Sequence, residues 1–123
     1  MAWTERTELL VGPEGLGKLR AAAVAVVGCG GVGAAAAEML ARACVGHIAL
    51  IDSDTVSESN INRQLPALHS TVGLSKTKIL GGRLKDINPE LDLVTVEDYL
   101  TEDNVAAVLG GLFPGLDLLW WMP

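Results

Sequence analysis

Three short stretches of this chain hold the residue types that could do chemistry. Gly28-Cys29-Gly30-Gly31-Val32-Gly33 is a G-x-G-x-x-G sequence, and Asp52 follows 19 residues after Gly33, opening the cluster Asp52-Ser53-Asp54. Beyond it come Asn60-Ile61-Asn62-Arg63-Gln64 and Gly73-Leu74-Ser75-Lys76. In such a glycine loop Gly28 allows the tight turn, Gly30 lets the backbone approach a phosphate, and Gly33 lets a helix pack closely on the preceding strand. The N-terminus of that helix offers unpaired N–H groups and a positive dipole end to phosphates. A carboxylate at the end of the next strand, here Asp52, accepts hydrogen bonds from ribose hydroxyls. The alternative for the loop is a glycine turn that binds nothing.

The later stretches bear on which nucleotide is bound. An NAD site has no need of Arg63, Gln64 and Lys76 crowded after the second strand. Two acids, Asp52 and Asp54, with amides at Asn60, Asn62 and Gln64, a guanidinium and an ammonium suit a triphosphate with a metal. Arg and Lys neutralise charge on the phosphates, and amides hold them in place. Each has a plainer reading taken singly: Arg63 as a solvated residue, Lys76 as an exposed first-turn lysine, Asn60 as an ordinary cap.

For these residues to meet, the chain must alternate strand and helix. Residues 21–27 form a short Val-rich run that stops at Gly28, which predicts a strand buried on both faces. Residues 34–44 are Ala-rich and predict a helix ending near Gly46; residues 47–51 predict a second parallel strand. Residues 75–87 have helical spacing at Ile79, Leu80 and Leu84, with Ser75 as N-cap. Residues 91–96 predict a third strand, 101–109 a helix with Glu102 and Asp103 in its first turn, and 116–121 a fourth strand. The expected architecture is α/β, a Rossmann-like parallel sheet with helices on both faces. Ligands on such sheets bind at the carboxyl ends of the strands, where Gly28 and Asp52 fall.

Composition narrows the function classes. Half of the 123 residues are apolar and a fifth are charged, as in one soluble globular domain covering residues 1–123. The net charge of -6 is the wrong sign for gripping phosphate backbone over a whole surface. It is unevenly spread: residues 60–85 carry five bases and no acid, while residues 86–123 carry eight acids and no base. That basic island is a candidate local patch. Cys29 and Cys44 are too few for a disulfide scaffold and form no C-x-x-C pair, and His47 and His69 lack a ligand set, so no protein metal site is expected. The longest uncharged stretch is interrupted by glycines, and the acidic start is unlike a signal peptide, so no membrane association and a cytoplasmic location are expected.

The motifs resemble the ubiquitin-activating-enzyme-like superfamily that includes ThiF, MoeB and HesA, whose domains adenylate carboxylates. The match runs from Glu5 to about Leu119. Arg6-Thr7-Glu8-Leu9-Leu10-Val11-Gly12, Asn60-Ile61-Asn62-Arg63-Gln64, Val72-Gly73-Leu74-Ser75-Lys76 and Ile87-Asn88-Pro89-Glu90 look most like the bacterial tRNA threonylcarbamoyladenosine dehydratase branch. The resemblance implies that ATP adenylates a carboxylate on tRNA and that ring closure expels AMP. It implies ATP contacts from Gly31, Asp52, Asn60, Asn62, Arg63 and Lys76, with Arg63 and Lys76 on the phosphates. Arg6 would reach the neighbouring subunit's site in a homodimer; its plainer reading is an arginine in a mobile terminus.

The chain departs from the family at its end. An aspartate-rich stretch whose last acid helps hold Mg2+ is expected after the fourth strand, but Asp117-Leu118-Leu119 is followed by Trp120-Trp121-Met122-Pro123. Trp121 replaces the second acid, and the third would lie beyond the end. This reads as the N-terminal part of a longer family domain, truncated after the fourth strand, expected to bind ATP without turnover. Three rival readings are adenylation of a ubiquitin-like sulfur-carrier protein, with a sulfur-transfer partner, a non-catalytic nucleotide-binding module, and an NAD-dependent dehydrogenase. Neither Cys29 nor Cys44 matches the family's later nucleophile, so both read as packing residues.

Overall fold

In the computed structural model, which describes residues 2–121, the elements run α1 (Glu5–Ala21), β1 (Ala23–Val27), α2 (Gly31–Arg42), β2 (His47–Ile51), α3 (Lys76–Ile87), β3 (Asp92–Val96), α4 (Val105–Gly110) and β4 (Leu118–Trp121). Met1, Met122 and Pro123 lie outside the described residues. All strands pair in parallel in the order β3-β2-β1-β4. The chain winds outward from β1 to β3 and then returns to the other side of β1. That reversal opens a crevice between the carboxyl ends of β1 and β4.

Burial follows position in the sheet. Every residue of β1 is buried, as are four of the five in β2, because helices cover both faces of these inner strands. The outer strands β3 and β4 are half-buried or exposed along their length. On one face Val24, Val26, Ile48 and Leu50 pack against Ala34, Ala37 and Ala41 of α2 and Leu80 and Leu84 of α3. On the other, Ala25, Val27, Ala49 and Ile51 meet Leu100, with Val105, Val108 and Leu109 of α4 against them. The sheet with helices on both faces therefore stands as the sequence predicts.

Several boundaries differ. Residues 5–21, unassigned in the sequence, form α1, broken by Gly12 at φ 78° with Pro13 behind it. Pro13 supplies no N–H, so it fits the first turn of the second helical segment. The helix α2 begins at Gly31, three residues before the alanine run, because Gly31 and Gly33 at the end of the loop are already helical. The helix expected over 101–109 starts only at Val105: Asn104 Oδ1 accepts the Thr101 N–H at 2.8 Å and Asn104 Nδ2 donates to the Tyr99 carbonyl at 2.9 Å. These local bonds offer the backbone an alternative to the helix, and Glu102 and Asp103 fall in a turn instead of the first helical turn.

One half-buried ion pair joins the helices over the first face. Glu38 of α2 is buried, accepts a hydrogen bond from Arg83 Nε of α3, and has Arg42 Nε 3.4 Å from its other oxygen. The Arg83 hydrogen bond holds the Glu38 carboxyl below the usual range, against burial that pushes it up, with the charges of Arg83 and Arg42 adding to the downward pull. A depressed carboxyl contributes stability that is complete above its unfolded pKa and is lost as pH falls through the lower folded value. We therefore expect the thermal stability of the native chain to fall more steeply than that of Glu38→Gln between about pH 6 and about pH 3, as measured by melting followed with circular dichroism.

Candidate functional site

The strand-to-helix turn after β1 is built around two glycines. Gly28 has φ +95°, a conformation other residues adopt rarely, and its N–H bonds the Ile51 carbonyl at 2.8 Å, extending the ladder one step past β1. A Cβ on Gly33 would overlap the carbonyl of Gly28, so only glycine lets α2 sit this close to the end of β1. Asp52, just past β2, ties the turn down. Its Oδ2 accepts the Cys29 N–H at 2.6 Å and its Oδ1 accepts the Asp54 N–H at 2.8 Å. Each oxygen keeps an acceptor position, so the carboxylate can serve the turn and still receive hydroxyl donors.

The long connection from β2 to α3 folds back over this turn. Val56 and Leu74 pair through a backbone bond of 2.8 Å, Thr55 and Ser75 form an antiparallel bridge, and the Lys76 N–H bonds the Asp54 carbonyl at 3.2 Å. This places Lys76 at the head of α3 with its side chain buried and Nζ 3.7 Å from Asp54 Oδ2. Lys76 is thus not the exposed first-turn lysine of the plainer reading. Gln64 lies over the glycine turn, its Nε2 3.3 Å from where a Cβ on Gly30 would stand, and its Oε1 is buried without a hydrogen-bond partner. Gly31 opens α2 beneath the Arg63 carbonyl, which would lie 4.0 Å from a Cβ there.

The other residues of the connection are partly committed to one another. Asn60 is buried and its Oδ1 accepts the Ser57 N–H at 2.9 Å, so it does cap a short turn. Arg63 is exposed, with Nη1 donating to Asn62 Oδ1 at 2.8 Å and to the Ser59 carbonyl at 3.1 Å. The basic island is less free than its composition suggests. Lys76 faces Asp54, Lys78 faces Glu97, Arg83 faces Glu38, and Lys85 Nζ donates to the carbonyls of Pro89 and Leu91. Of these five bases Arg63 and Lys85 bond neutral groups, and Arg63 is the one that lies in the connection. Arg6 is exposed in the first turn of α1, near Thr4, which lines a hollow at the amino ends of the strands. The structure does not bring Arg6 together with the glycine turn.

A cavity of about 290 Å³ opens at the carboxyl ends, lined by Val27, Gly28, Ile51, Asp52, Asp54, Asp98, Tyr99, Leu100 and Trp121, with Ser53. Sequence reasoning missed Asp98, Tyr99 and Leu100, although the segment after β3 obeys the same carboxyl-end rule that singled out Gly28 and Asp52. Trp121 stands at the position expected to be acidic. Among the described residues no three His, Cys, Asp or Glu side chains group as a metal site. A larger hollow of about 430 Å³ lies at the opposite ends of the strands, lined by His47, Asp92, Cys44 and Asn88 among others.

At the glycine turn the fold thus brings together a carboxylate with open acceptor positions, a buried ammonium and an orphaned amide. A model of the ThiF family matches residues 5–119. The chain belongs to the ThiF family. Within it, the chain is 50% identical over 99 residues to tRNA threonylcarbamoyladenosine dehydratase of Bacillus subtilis (strain 168), covering 80% of this chain and 39% of that protein. It is 38% identical over 101 residues to the SAMP-activating enzyme E1 of Haloferax volcanii, covering 82% of this chain and 37% of the other. The crystal structure of E. coli tRNA N6-threonylcarbamoyladenosine dehydratase, TcdA, in complex with ATP superposes with a TM-score of 0.88 at 42% identity. That match covers 96% of this chain and 49% of the other. This ThiF-family chain therefore spans about two-fifths of the length of those two relatives and about half of the solved structure.

Cys29 sits inside the glycine turn yet is fully buried, and burial, reinforced by the nearby Asp52 charge, pushes its thiol up to about 12. Burial also pushes Cys44 up. Both thiols are neutral at physiological pH, and we expect neither to react with iodoacetamide until the chain is denatured, as read by mass spectrometry. The two glycines should separate by substitution. Gly33→Ala is expected to cost about 3 kcal/mol or more, since backbone cannot yield, whereas Gly30→Ala meets only the movable Gln64 amide and should cost about 1 kcal/mol. Urea denaturation measures both.

Proposed function

We propose that this chain is the nucleotide-binding part of an ATP-dependent adenylating enzyme, acting on the carboxylate of threonylcarbamoyladenosine in tRNA. The observation that carries the reading is the meeting of Gly28, Asp52, Asp54, Gln64 and Lys76 at the carboxyl ends of β1 and β2. Activation of the carboxylate as an acyl adenylate would release pyrophosphate, and closure of the ring would release AMP. In this chain Asp52 would receive the ribose hydroxyls through its remaining acceptor positions. The backbone of Gly30 and Gly31 at the head of α2 would face phosphate oxygens. Lys76 and Arg63 would carry positive charge beside the phosphates, and Gln64 can turn its amide to present N–H groups there.

Charge around the cavity bears on the partner. Asp52, Asp54 and Asp98 line it, and Lys76 is already close to Asp54. A triphosphate would meet fewer free cations than its charge calls for. A homodimer in which Arg6 of a second copy reaches the site would supply one, and magnesium accompanying the nucleotide another; a cytoplasmic location goes with this reading. The similarity to the SAMP-activating enzyme favours a second reading, in which the carboxylate is the C-terminus of a ubiquitin-like carrier. Pyrophosphate release dependent on modified tRNA or on the carrier, measured on the protein completed with a relative's remaining length, separates the two.

Calorimetry tests the nucleotide site directly. Asp52→Ala is expected to weaken ATP binding by about 1–3 kcal/mol through lost charge-assisted hydrogen bonds. Lys76→Ala is expected to weaken ATP more than AMP, because AMP lacks the outer phosphates. Equal losses for the two ligands would place Lys76 in support of the fold or of the adenosine instead.

A further inference from the structure

The helices α2 and α3 each begin at the candidate site, α2 with Gly31 and α3 with Lys76. The relative level of their first turns sets how far the glycine turn stands from the lysine. Their apolar contact is a poor ruler for that level. The face of α2 toward α3 and the sheet is made of Ala34, Ala37 and Ala41, whose single methyls form shallow ridges that key weakly into a neighbouring helix. Among the described residues one polar cross-link joins the two helices, the bond from Arg83 Nε to Glu38.

The position of this cross-link is informative. Glu38 is seven residues after Gly31, and Arg83 is seven residues after Lys76. At about 1.5 Å per residue, both partners lie about 10 Å along their helices from the first residue. An ion pair at equal depth holds two helix heads level. Glu38 is also buried, so its carboxylate has little water to fall back on, and Arg42 from the next turn of α2 steadies its second oxygen.

We propose that Glu38 is a positioning residue for the nucleotide site: through Arg83 it fixes the glycine turn at the head of α2 against Lys76 at the head of α3. This rests on the reading of the site as one for ATP. A ligand that reaches only the glycine turn and Asp52 is insensitive to the spacing, whereas one that spans to Lys76 depends on it.

Calorimetry with ATP and AMP on Glu38→Ala, Arg83→Ala and the double variant tests the proposal. Each single variant is expected to lower ATP affinity about tenfold and AMP affinity less than about twofold, with the double variant no worse than either single. Glu38→Gln, which keeps an acceptor for Arg83 Nε, should recover part of the ATP affinity. Equal losses for both nucleotides, or additive losses in the double variant, would overturn the proposal and leave the pair as a fold element. Amide hydrogen exchange without ligand gives an independent readout. The first helical bonds, Ala34 N–H to the Gly30 carbonyl and Ile79 N–H to the Ser75 carbonyl, should exchange faster in Glu38→Ala. If the native chain bound neither nucleotide, the ATP reading would fail, and unchanged exchange at Ala34 and Ile79 would overturn the positioning role separately.

Discussion

The closeness of α2 to the end of β1 is the constraint on which the rest of the site depends. Gly33 leaves the space that the Gly28 carbonyl occupies, and Gly28 takes the positive φ that turns the chain in so short a distance. Because the turn is this tight, the Cys29 N–H points toward β2 and meets Asp52. The carboxylate is thereby part of the turn before any ligand arrives. A turn tied down in this way has little conformational entropy left to lose on binding a ligand.

The charges tell a second story, in which sequence proximity and spatial availability diverge. Five bases with no acid among residues 60–85 look like an anion-binding surface, yet acids from elsewhere in the chain reach most of them: Asp54 for Lys76, Glu97 for Lys78, Glu38 for Arg83. Pairing of the exposed Lys78 with Glu97 contributes little to stability, since both groups stay solvated. The buried members are different, because a buried charge without its partner is costly. The effect is to hold α3 in place and to leave a cavity rim that is more acidic than basic, which is why a second source of positive charge is part of the functional reading.

The gradient of burial across the sheet has a direct physical reading. The inner strands β1 and β2 carry helices on both faces and hydrogen-bond on both edges, so every position except the half-buried His47 that opens β2 is apolar and small enough to pack. The outer strand β4 pairs with β1 on one edge, and Leu118, Leu119 and Trp121 are well exposed. Trp120 packs toward the α2 side, with its Nε1 buried and unpartnered, while Trp121 on the opposite face lines the cavity. The alternation of side chains along a strand thus assigns one tryptophan to the core and the next to the site.

Local signals in the sequence determined the sheet and the turn. Buried inner strands read as continuous Val- and Ile-rich runs, His47–Ile51 with its bounds unchanged, and the glycine spacing marked the strand-to-helix junction, because each depends on residues adjacent in the chain. Ordinary side-chain patterning could not mark α1, whose weakly amphipathic run is split by Gly12-Pro13, nor the start of α4, where Asn104 turns the chain first. Tertiary structure alone decided which bases were paired, that Lys76 is buried against Asp54, and that Asp98, Tyr99 and Trp121 share a cavity with Gly28. Those outcomes rest on contacts between residues far apart in sequence, and a charge or an aromatic ring carries no record in the chain of what it will face once the sheet has closed.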